Sequence, residues 1–384
     1  VTAPDRIQRL PAQYFAGLLA RVAAAAAEEG EEVIDLGRGN PDTGPPEHVV
    51  EALARASRDP AAHGYPPFRG IPALKEAIAA RYRDVYGVEL DPEREVAVVP
   101  GTKTAIVELA LCLAERGQTI LLPDPGYPDY TSGVALAAAR EVRVPLDPDA
   151  AFSPDLDAAP TENVAALYLN YPSNPCAASA PPGVFAEAVA YAERTGAAIV
   201  HDFAYGDLMF DGLEPRSFLS EPGAKEVGVE MFSMSKTYGM AGWRLGFVLG
   251  NAEIVERVNL LADHVRAGVF RPVQEAGVAA LTGPQESVEE RRALYEARRA
   301  RVQAVVPDTR SDSTFYVWWP LPAGLTPERI LAEHRIAVAP GEGFGEQGEG
   351  WARISLATPD ERLDAGLSRL AALQVDRSAP GWPG

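Results

Sequence analysis

From about Pro45 to Gly283, short apolar runs alternate with longer stretches of helical period. The runs Val96–Val99, Thr119–Leu122, Arg140–Val144, Val164–Leu169, Ala198–Asp202, Glu230–Ser233 and Leu245–Leu249 are the strand candidates. Most are near-continuous in Val, Ile, Leu and Ala, the signature of strands buried on both faces. Between them, Lys103–Glu115, Val184–Arg194 and Glu253–Val265 repeat apolar residues every three or four positions, as amphipathic helices do. This alternation predicts an α/β domain: a mostly parallel seven-stranded sheet with helices on both faces. Ahead of it lie a helix over Pro11–Glu29, the extended Val33–Leu36 and a Gly/Pro-rich turn. After Gly283 the pattern changes to a long charged helix, Glu286–Val305, and a strand at Thr314–Trp319. A helix near Pro327–His334, strands at Ile336–Ala339 and Trp351–Ser355, and a helix over Pro359–Leu373 follow. The last residues form a Ser/Pro/Gly tail expected to fray. The pattern therefore predicts a large α/β domain over residues 45–283 and a smaller α+β domain built from both chain ends, 1–44 and 284–384.

Composition narrows the partners. With 47% hydrophobic and 23% charged residues, the 384-residue chain is an ordinary globular protein, which excludes wholesale disorder and fibrous repeats. Its 35 basic against 54 acidic residues leave a net charge of -19, which repels nucleic-acid phosphates and anionic lipid. Neither nucleic acid nor membrane is an expected partner, although a local cationic pocket remains compatible. Cys112 and Cys176 are too few for a disulfide framework or a cysteine-rich zinc site and fit a reducing cytoplasm. The five histidines are scattered without metal-ligand spacing, so no metal is expected. The uncharged run Asn163–Ala186 contains Pro172, Pro175, Pro181 and Pro182, and no spanning helix would carry them.

The chemistry concentrates in Ser233-Met234-Ser235-Lys236-Thr237-Tyr238-Gly239-Met240-Ala241-Gly242-Trp243-Arg244-Leu245-Gly246. A lysine just past a buried strand is flanked by hydroxyls, with an arginine eight residues on. A lysine amine can condense with an aldehyde as a Schiff base, and later act as a base if its pKa is lowered by burial and a nearby cation such as Arg244. A phosphate dianion would suit the fork of Arg244 with the hydroxyls of Ser233 and Ser235. Pro100-Gly101-Thr102-Lys103 joins a strand to a helix, whose free N–H groups could also bind phosphate. Taken alone it is equally an ordinary strand–helix turn. Asp202 ends a strand where open α/β sheets place ligands, yet an aspartate there is often only a helix cap.

The whole spacing resembles the lysine signature of class I/II aminotransferases, the fold type I enzymes that use pyridoxal 5'-phosphate. The resemblance runs from about Arg9 to Leu373 with the motifs in family order. It implies that Lys236 forms the Schiff base, that Tyr127 stacks on the pyridine ring, and that Asn174 and Tyr205 bond its phenolic oxygen. By the same resemblance Asp202 keeps the ring nitrogen protonated, and Gly101, Thr102, Lys103, Ser233, Ser235 and Arg244 hold the phosphate side. Arg353 would grip the substrate carboxylate, Gly39 would close over it, and Gln13, Tyr14 and Phe15 would lie near the substrate side chain. Tyr65 resembles the tyrosine lent to the partner's phosphate site, implying a homodimer with the active site at its interface. The segments around Leu10–Phe15, His201–Gly206 and Ala339–Gly345 are most similar to a bacterial branch that includes methionine-salvage and LL-diaminopimelate aminotransferases.

One departure stands out. The family usually reads Asn-Pro-Thr-Gly, and here Asn174-Pro175 is followed by Cys176-Ala177, where alanine disfavours positive φ. The expected activity is ping-pong transfer of the amino group of an L-amino acid to a 2-oxo acid. Tyr14, Phe15 and Phe344 favour apolar, methionine-like, branched or aromatic side chains, with glutamate or glutamine also compatible. Arg271 could meet a distal carboxylate or simply form an ion pair or a dimer contact. The alternative is elimination, replacement or carbon–carbon bond formation on S-adenosylmethionine or a related amino acid, since fold and lysine alone do not separate the two. A regulatory aminotransferase-like domain is a third class, disfavoured by the acidic charge and the lack of an appended helix-turn-helix.

Overall fold

A computed structural model describes residues 2–28 and 30–375 of the chain. The expected frayed tail lies outside the described residues. The strands in chain order are β1 (Ile34–Asp35), β2 (Val96–Val99), β3 (Thr119–Asp124), β4 (Arg140–Asp147), β5 (Ser153–Pro154), β6 (Val164–Asn170) and β7 (Ala198–Asp202). There follow β8 (Gly228–Ser233), β9 (Gly246–Gly250), β10 (Tyr316–Pro320), β11 (Ile336–Ala337), β12 (Ala339–Pro340) and β13 (Trp351–Ser355).

The main sheet has eight strands in the order β2-β9-β8-β7-β6-β3-β4-β5. Pairing from β8 through β7, β6 and β3 to β4 is parallel, while β9 runs antiparallel between β2 and β8. All seven expected strands are present. The eighth, β5, pairs two residues antiparallel to β4 at the edge, too short for any periodicity to show. Its Pro154 costs no ladder bond on the open side.

Neighbouring residues of one strand enter opposite cores. Val98, Leu121, Ile199 and Phe232 pack on one face with Ile78, Tyr82 and Phe185, whereas Ala97, Leu122, Val200 and Met231 pack on the other with Ile106, Leu109 and Val255. The period-2 geometry of a strand thus explains why the runs are apolar throughout rather than alternating. The covering helices begin and end where local chemistry dictates. Pro72–Tyr86 starts on proline, whose missing N–H is no loss in a first turn, and stops at Gly87 with φ 67°.

A further core joins Ile34 and Leu36 to Tyr295, Val302, Phe315, Val317, Ile354, Leu363 and Leu367, so both ends of the chain meet in it. β10, β12 and β13 form an antiparallel sheet beside it, and β1 pairs parallel with β11. The single strand expected at Ile336–Ala339 is therefore two. It changes partner at Val338, leaving β1 for β13, a crossover that a continuous apolar run conceals. No helix among the described residues is long and apolar enough to cross a membrane.

Candidate active site

At the carboxyl ends of β6 and β7 the structure forms a cavity of about 290 Å³. Asn170 and Asp202 close its floor, Lys236 and Tyr205 one side, and Thr102, Lys103 and Tyr127 another; Phe15, Gly39 and Tyr316 reach it from the chain ends. Asn174 also lines it. Open α/β sheets place ligands in this position because helix N-termini and strand ends converge there.

Lys236 sits in a one-turn helix, Met234–Thr237, directly after β8; the Ser233 hydroxyl caps that turn by accepting from the Ser235 N–H at 3.2 Å. Its Nζ donates to the Gly39 carbonyl at 3.4 Å and lies 5.1 Å from the Phe315 ring centroid. Burial, reinforced by the Arg353 and Arg244 guanidinium groups and opposed by Asp202, pushes its pKa down from 10.5 to about 8. Between pH 8 and 10.5 the unfolded chain thus binds a proton that the folded chain has lost, so the folded state gains stability as pH rises through that window. Ligand-free protein is expected to show this gain relative to Lys236→Met in thermal melts across the range. Parallel profiles for the two proteins would refute a depressed lysine.

Asp202 is buried, and its short bonds come from neutral donors: the Tyr130 hydroxyl at 2.8 Å and the Ala204 N–H at 3.2 Å. Burial raises its pKa against those bonds and against the charges of His201 and Lys236. Asn170 bonds the Asp202 carbonyl through its Nδ2 at 2.9 Å and accepts from the Asn174 N–H at 2.8 Å, tying two strand ends together. Asn174 Oδ1 in turn accepts from Arg353 Nη1 at 2.6 Å. Arg353 is fully buried, donates its Nη2 to the Gly37 carbonyl at 3.0 Å, and stacks 3.9 Å from the Tyr316 ring centroid; its Nε has no partner. A guanidinium held this way keeps donor capacity in reserve for an anion. The hydroxyls of Tyr205 and Tyr316 are 3.3 Å apart.

Gly101, at φ 83°, begins the helix Thr102–Leu113, and a Cβ there would fall 2.1 Å from Arg244 Nη2. The glycine therefore lets the guanidinium lie against a helix N-terminus, where unpaired N–H groups face an anion. Gly39 is required for a similar reason, since a Cβ would meet the Tyr316 hydroxyl at 2.1 Å.

Not every expected residue reaches the cavity: Gly101, Ser233, Ser235, Arg244 and Arg353 lie outside its lining, although Arg353 bonds the lining residue Asn174 and Gly101 precedes the lining residue Thr102. Tyr14 stands behind Phe15, its hydroxyl bonded to the Pro340 carbonyl at 2.8 Å, and is absent from the lining. Lys103 contributes to the rim, with its Nζ paired to Asp129 at 2.8 Å. Tyr65 is 88% exposed and does not line this cavity. Arg271 pairs with Glu275 at 3.2 Å on its own helix and is also absent from the lining. His201 bonds Glu230 at 2.7 Å rather than Asp202. Ala177 takes φ 53°, the left-handed conformation that glycine would favour. That costs an alanine ~1–2 kcal/mol, and bonds to Ser173 O, Asp312 N and Ser313 Oγ hold it in place. The loop that presents Asn174 is accordingly kept without the glycine.

Two groups lining the cavity, Asn170 and Tyr316, and one behind it, Tyr130 bonded to Asp202, escaped the sequence reading. Asn170 could have been found, because it is the last residue of a strand at the ligand end of the sheet. Tyr130, one helical turn past Tyr127, and Tyr316, inside a hydrophobic strand, carry no such mark.

The residues suit pyridoxal 5'-phosphate. Arg244 against the glycine-opened helix start offers an anion cradle, Tyr127 a ring face, Asp202 a buried carboxylate facing neutral donors, and Lys236 an amine of lowered pKa. Among the described residues no group of His, Cys, Asp or Glu could hold a metal ion.

Comparison with known proteins agrees with this geometry. The family model for aminotransferase class I and II matches residues 31–370. The chain is 46% identical over 381 residues to the L-glutamine–4-(methylsulfanyl)-2-oxobutanoate aminotransferase of Bacillus subtilis, covering 96% of each. It is 42% identical to the LL-diaminopimelate aminotransferase of Desulforudis audaxviator over 95% of this chain and 96% of that one. Among solved structures, substrate-bound BacF from Bacillus subtilis superposes with a TM-score of 0.91 at 39% identity, covering 97% of this chain and 98% of that one.

Proposed function

Since the chain belongs to the class I and II aminotransferases, enzymes that use pyridoxal 5'-phosphate, we propose that it moves the amino group of an L-amino acid with an apolar side chain to a 2-oxo acid. The observation that carries this reading is that Lys236 and Asp202 line one cavity, a base and a buried carboxylate, with the Arg353 guanidinium directly behind its lining residues Asn174 and Tyr316. When bound, the cofactor supplies an electron sink that allows the substrate Cα–H bond to ionise. Arg353 fixes the substrate α-carboxylate, so that Cα faces Lys236 Nζ. Near its pKa of about 8 the Lys236 amine could take the Cα proton and return it to the cofactor carbon on the far side of the imine nitrogen. Asp202 holds a proton on the ring nitrogen by its charge, and Tyr130 and Ala204 hold Asp202. Asn174 and Tyr205 would hold the cofactor through their polar groups, and Tyr127 would offer it a ring to stack on.

Phe15, Leu18, Leu19 and Ile106 give the cavity an apolar lining, which supports a methionine-like, branched or aromatic substrate. The relative that acts on 4-(methylsulfanyl)-2-oxobutanoate supports the same choice and makes glutamine a candidate donor. A pocket of this kind separates one methylene by only ~1–3 kcal/mol, so several donors are expected to work. Titrating the yellow holoenzyme with single L-amino acids tests the reading. Methionine or another apolar donor should discharge the visible absorbance stoichiometrically, and a 2-oxo acid should restore it. Colour that no amino acid discharges, or that is lost with elimination products instead of an oxo acid, would overturn it.

The same reading makes the working unit a homodimer. Tyr65 lies exposed beside Phe68, at a ring distance of 6.4 Å, and Phe270 and Val265 are also open to solvent. An aromatic site tyrosine outside its own cavity fits one that completes the partner's. Light scattering should return twice the 41.0 kDa chain mass, and a monomer would exclude this arrangement.

A further inference from the structure

Behind the cavity wall, a second set of polar groups joins the two turns that carry Lys236 and Tyr205. Asp207, two residues past Tyr205, accepts the Thr237 hydroxyl on Oδ2 at 2.7 Å. On Oδ1 it accepts Arg81 Nη2 at 2.7 Å and the Tyr86 hydroxyl at 2.7 Å. The Asp207 and Arg81 side chains are only 6% and 7% exposed. Arg81 also donates to Gln285 Oε1 at 3.2 Å, which accepts the Tyr238 hydroxyl at 2.9 Å, and the guanidinium lies 5.6 Å from the Tyr238 ring centroid. Thr237 and Tyr238 follow Lys236 directly, so two separate branches of one network end on the lysine turn.

None of these groups lines the cavity, and a buried ion pair is weak evidence of stability for its own sake. What the network does is geometric. The Lys236 turn is a single helical turn of four residues, too short to hold its own shape. The Tyr205 turn follows a different strand. Asp207 is the group bonded to a residue of the first while itself belonging to the second.

We propose that Asp207 is a positioning residue: through Thr237 it fixes the Lys236 amine relative to Tyr205 and Asp202, with Arg81 locking its second oxygen. This rests on the reading of Lys236 as the reacting amine. Displacements of 1 Å at a reacting group can cost on the order of 10²-fold in rate, so one hydrogen bond at this point has leverage.

The test uses the full-length protein with Thr237→Val, Thr237→Ser, Tyr86→Phe and Lys236→Ala. Thr237→Val removes the hydroxyl but keeps the shape and leaves the Asp207–Arg81 pair in place. The readout besides turnover is the pH dependence of pyridoxal phosphate capture by cofactor-free protein, which reports the uncharged amine. The charged and titratable groups facing that amine are Arg353, Arg244, Asp202 and Tyr205, and all remain. Loosening the turn should let water reach the amine, raising the capture midpoint by about one unit in Thr237→Val and lowering kcat about tenfold. Thr237→Ser should restore both. Tyr86→Phe, which removes one bond to Asp207 but leaves the Thr237–Asp207 bond and the Arg81 pair in place, should lower thermal stability while leaving the midpoint unchanged. An unmoved midpoint with kcat within twofold of wild type in Thr237→Val would overturn the proposal, as would equal shifts in Tyr86→Phe. Insoluble Thr237→Val beside soluble Thr237→Ser would assign the bond to folding and overturn it too. Turnover surviving in Lys236→Ala would instead refute the reading of the lysine.

Discussion

Replacing Lys236 by alanine is expected to lower kcat by about 10⁴-fold, the upper end of what a positioned acid–base group contributes. The loss should be this large because no other group can stand in. The second lysine of the cavity, Lys103, is on the rim with its Nζ held by Asp129 at 2.8 Å. Tyr205, the nearest alternative proton carrier, has its pKa pushed well above 10 by burial and by Tyr316, so it cannot serve as a base near neutrality. Arg244 and Arg353, the proposed anion-binding groups, remain in the variant, and small primary amines in the buffer should recover part of the rate by entering the vacated space. Steady-state turnover with and without such amines checks this. Activity within a hundredfold of wild type without added amine would move the proton-transfer role elsewhere.

The second large effect is expected from Asp202→Asn, a change that keeps shape and retains an acceptor for the Tyr130 hydroxyl while removing the charge. kcat should fall ~10²–10³-fold with substrate KM little changed, because the role proposed for the carboxylate is at the cofactor's ring nitrogen and not at the substrate. The ligand-free protein should respond in the opposite sense. A carboxyl whose folded pKa is raised by burial binds more protons folded than unfolded, so its stability contribution declines as pH climbs above the ordinary carboxylate range of about 3.8. Asparagine carries no such penalty, and near pH 7 ligand-free Asp202→Asn should melt at or above the wild-type temperature. A variant that loses stability and keeps its rate would show a structural carboxylate.

Those two residues were visible in the sequence because chemistry of this kind sits beside strand ends, and strand ends show as breaks in apolar runs. The main sheet was legible for the same reason: Ile199 and Val200 are both apolar because each face of β7 has its own core. What stayed hidden depends on contacts distant in the chain. Nothing near Tyr316 announces that its ring lies on Arg353, because the contact arises from the pairing of β10 with β13. Tyr14 was placed one layer too near the substrate, since residues 14 and 15 are adjacent on a helix and only packing against Phe344 decides which faces inward. The division of Ile336–Ala339 between two sheets and the bond from Tyr130 to Asp202 were illegible for the same reason.

The reversed direction of β9 has an evolutionary consequence. Because β9 returns antiparallel to β8, with Ser233 opposite Gly246 and the Met234 N–H bonded to the Leu245 carbonyl, the excursion between them brings Lys236 and Arg244 to the same end of the sheet. A parallel neighbour would need a crossover of a dozen or more residues. The Lys236 amine and the Arg244 guanidinium thus belong to one contiguous stretch, whereas Phe15, Gly39 and Arg353 come from the chain ends. On the proposed function, drift in the chain ends can therefore reshape the substrate side of the cavity while the stretch that carries Lys236 and Arg244 stays fixed.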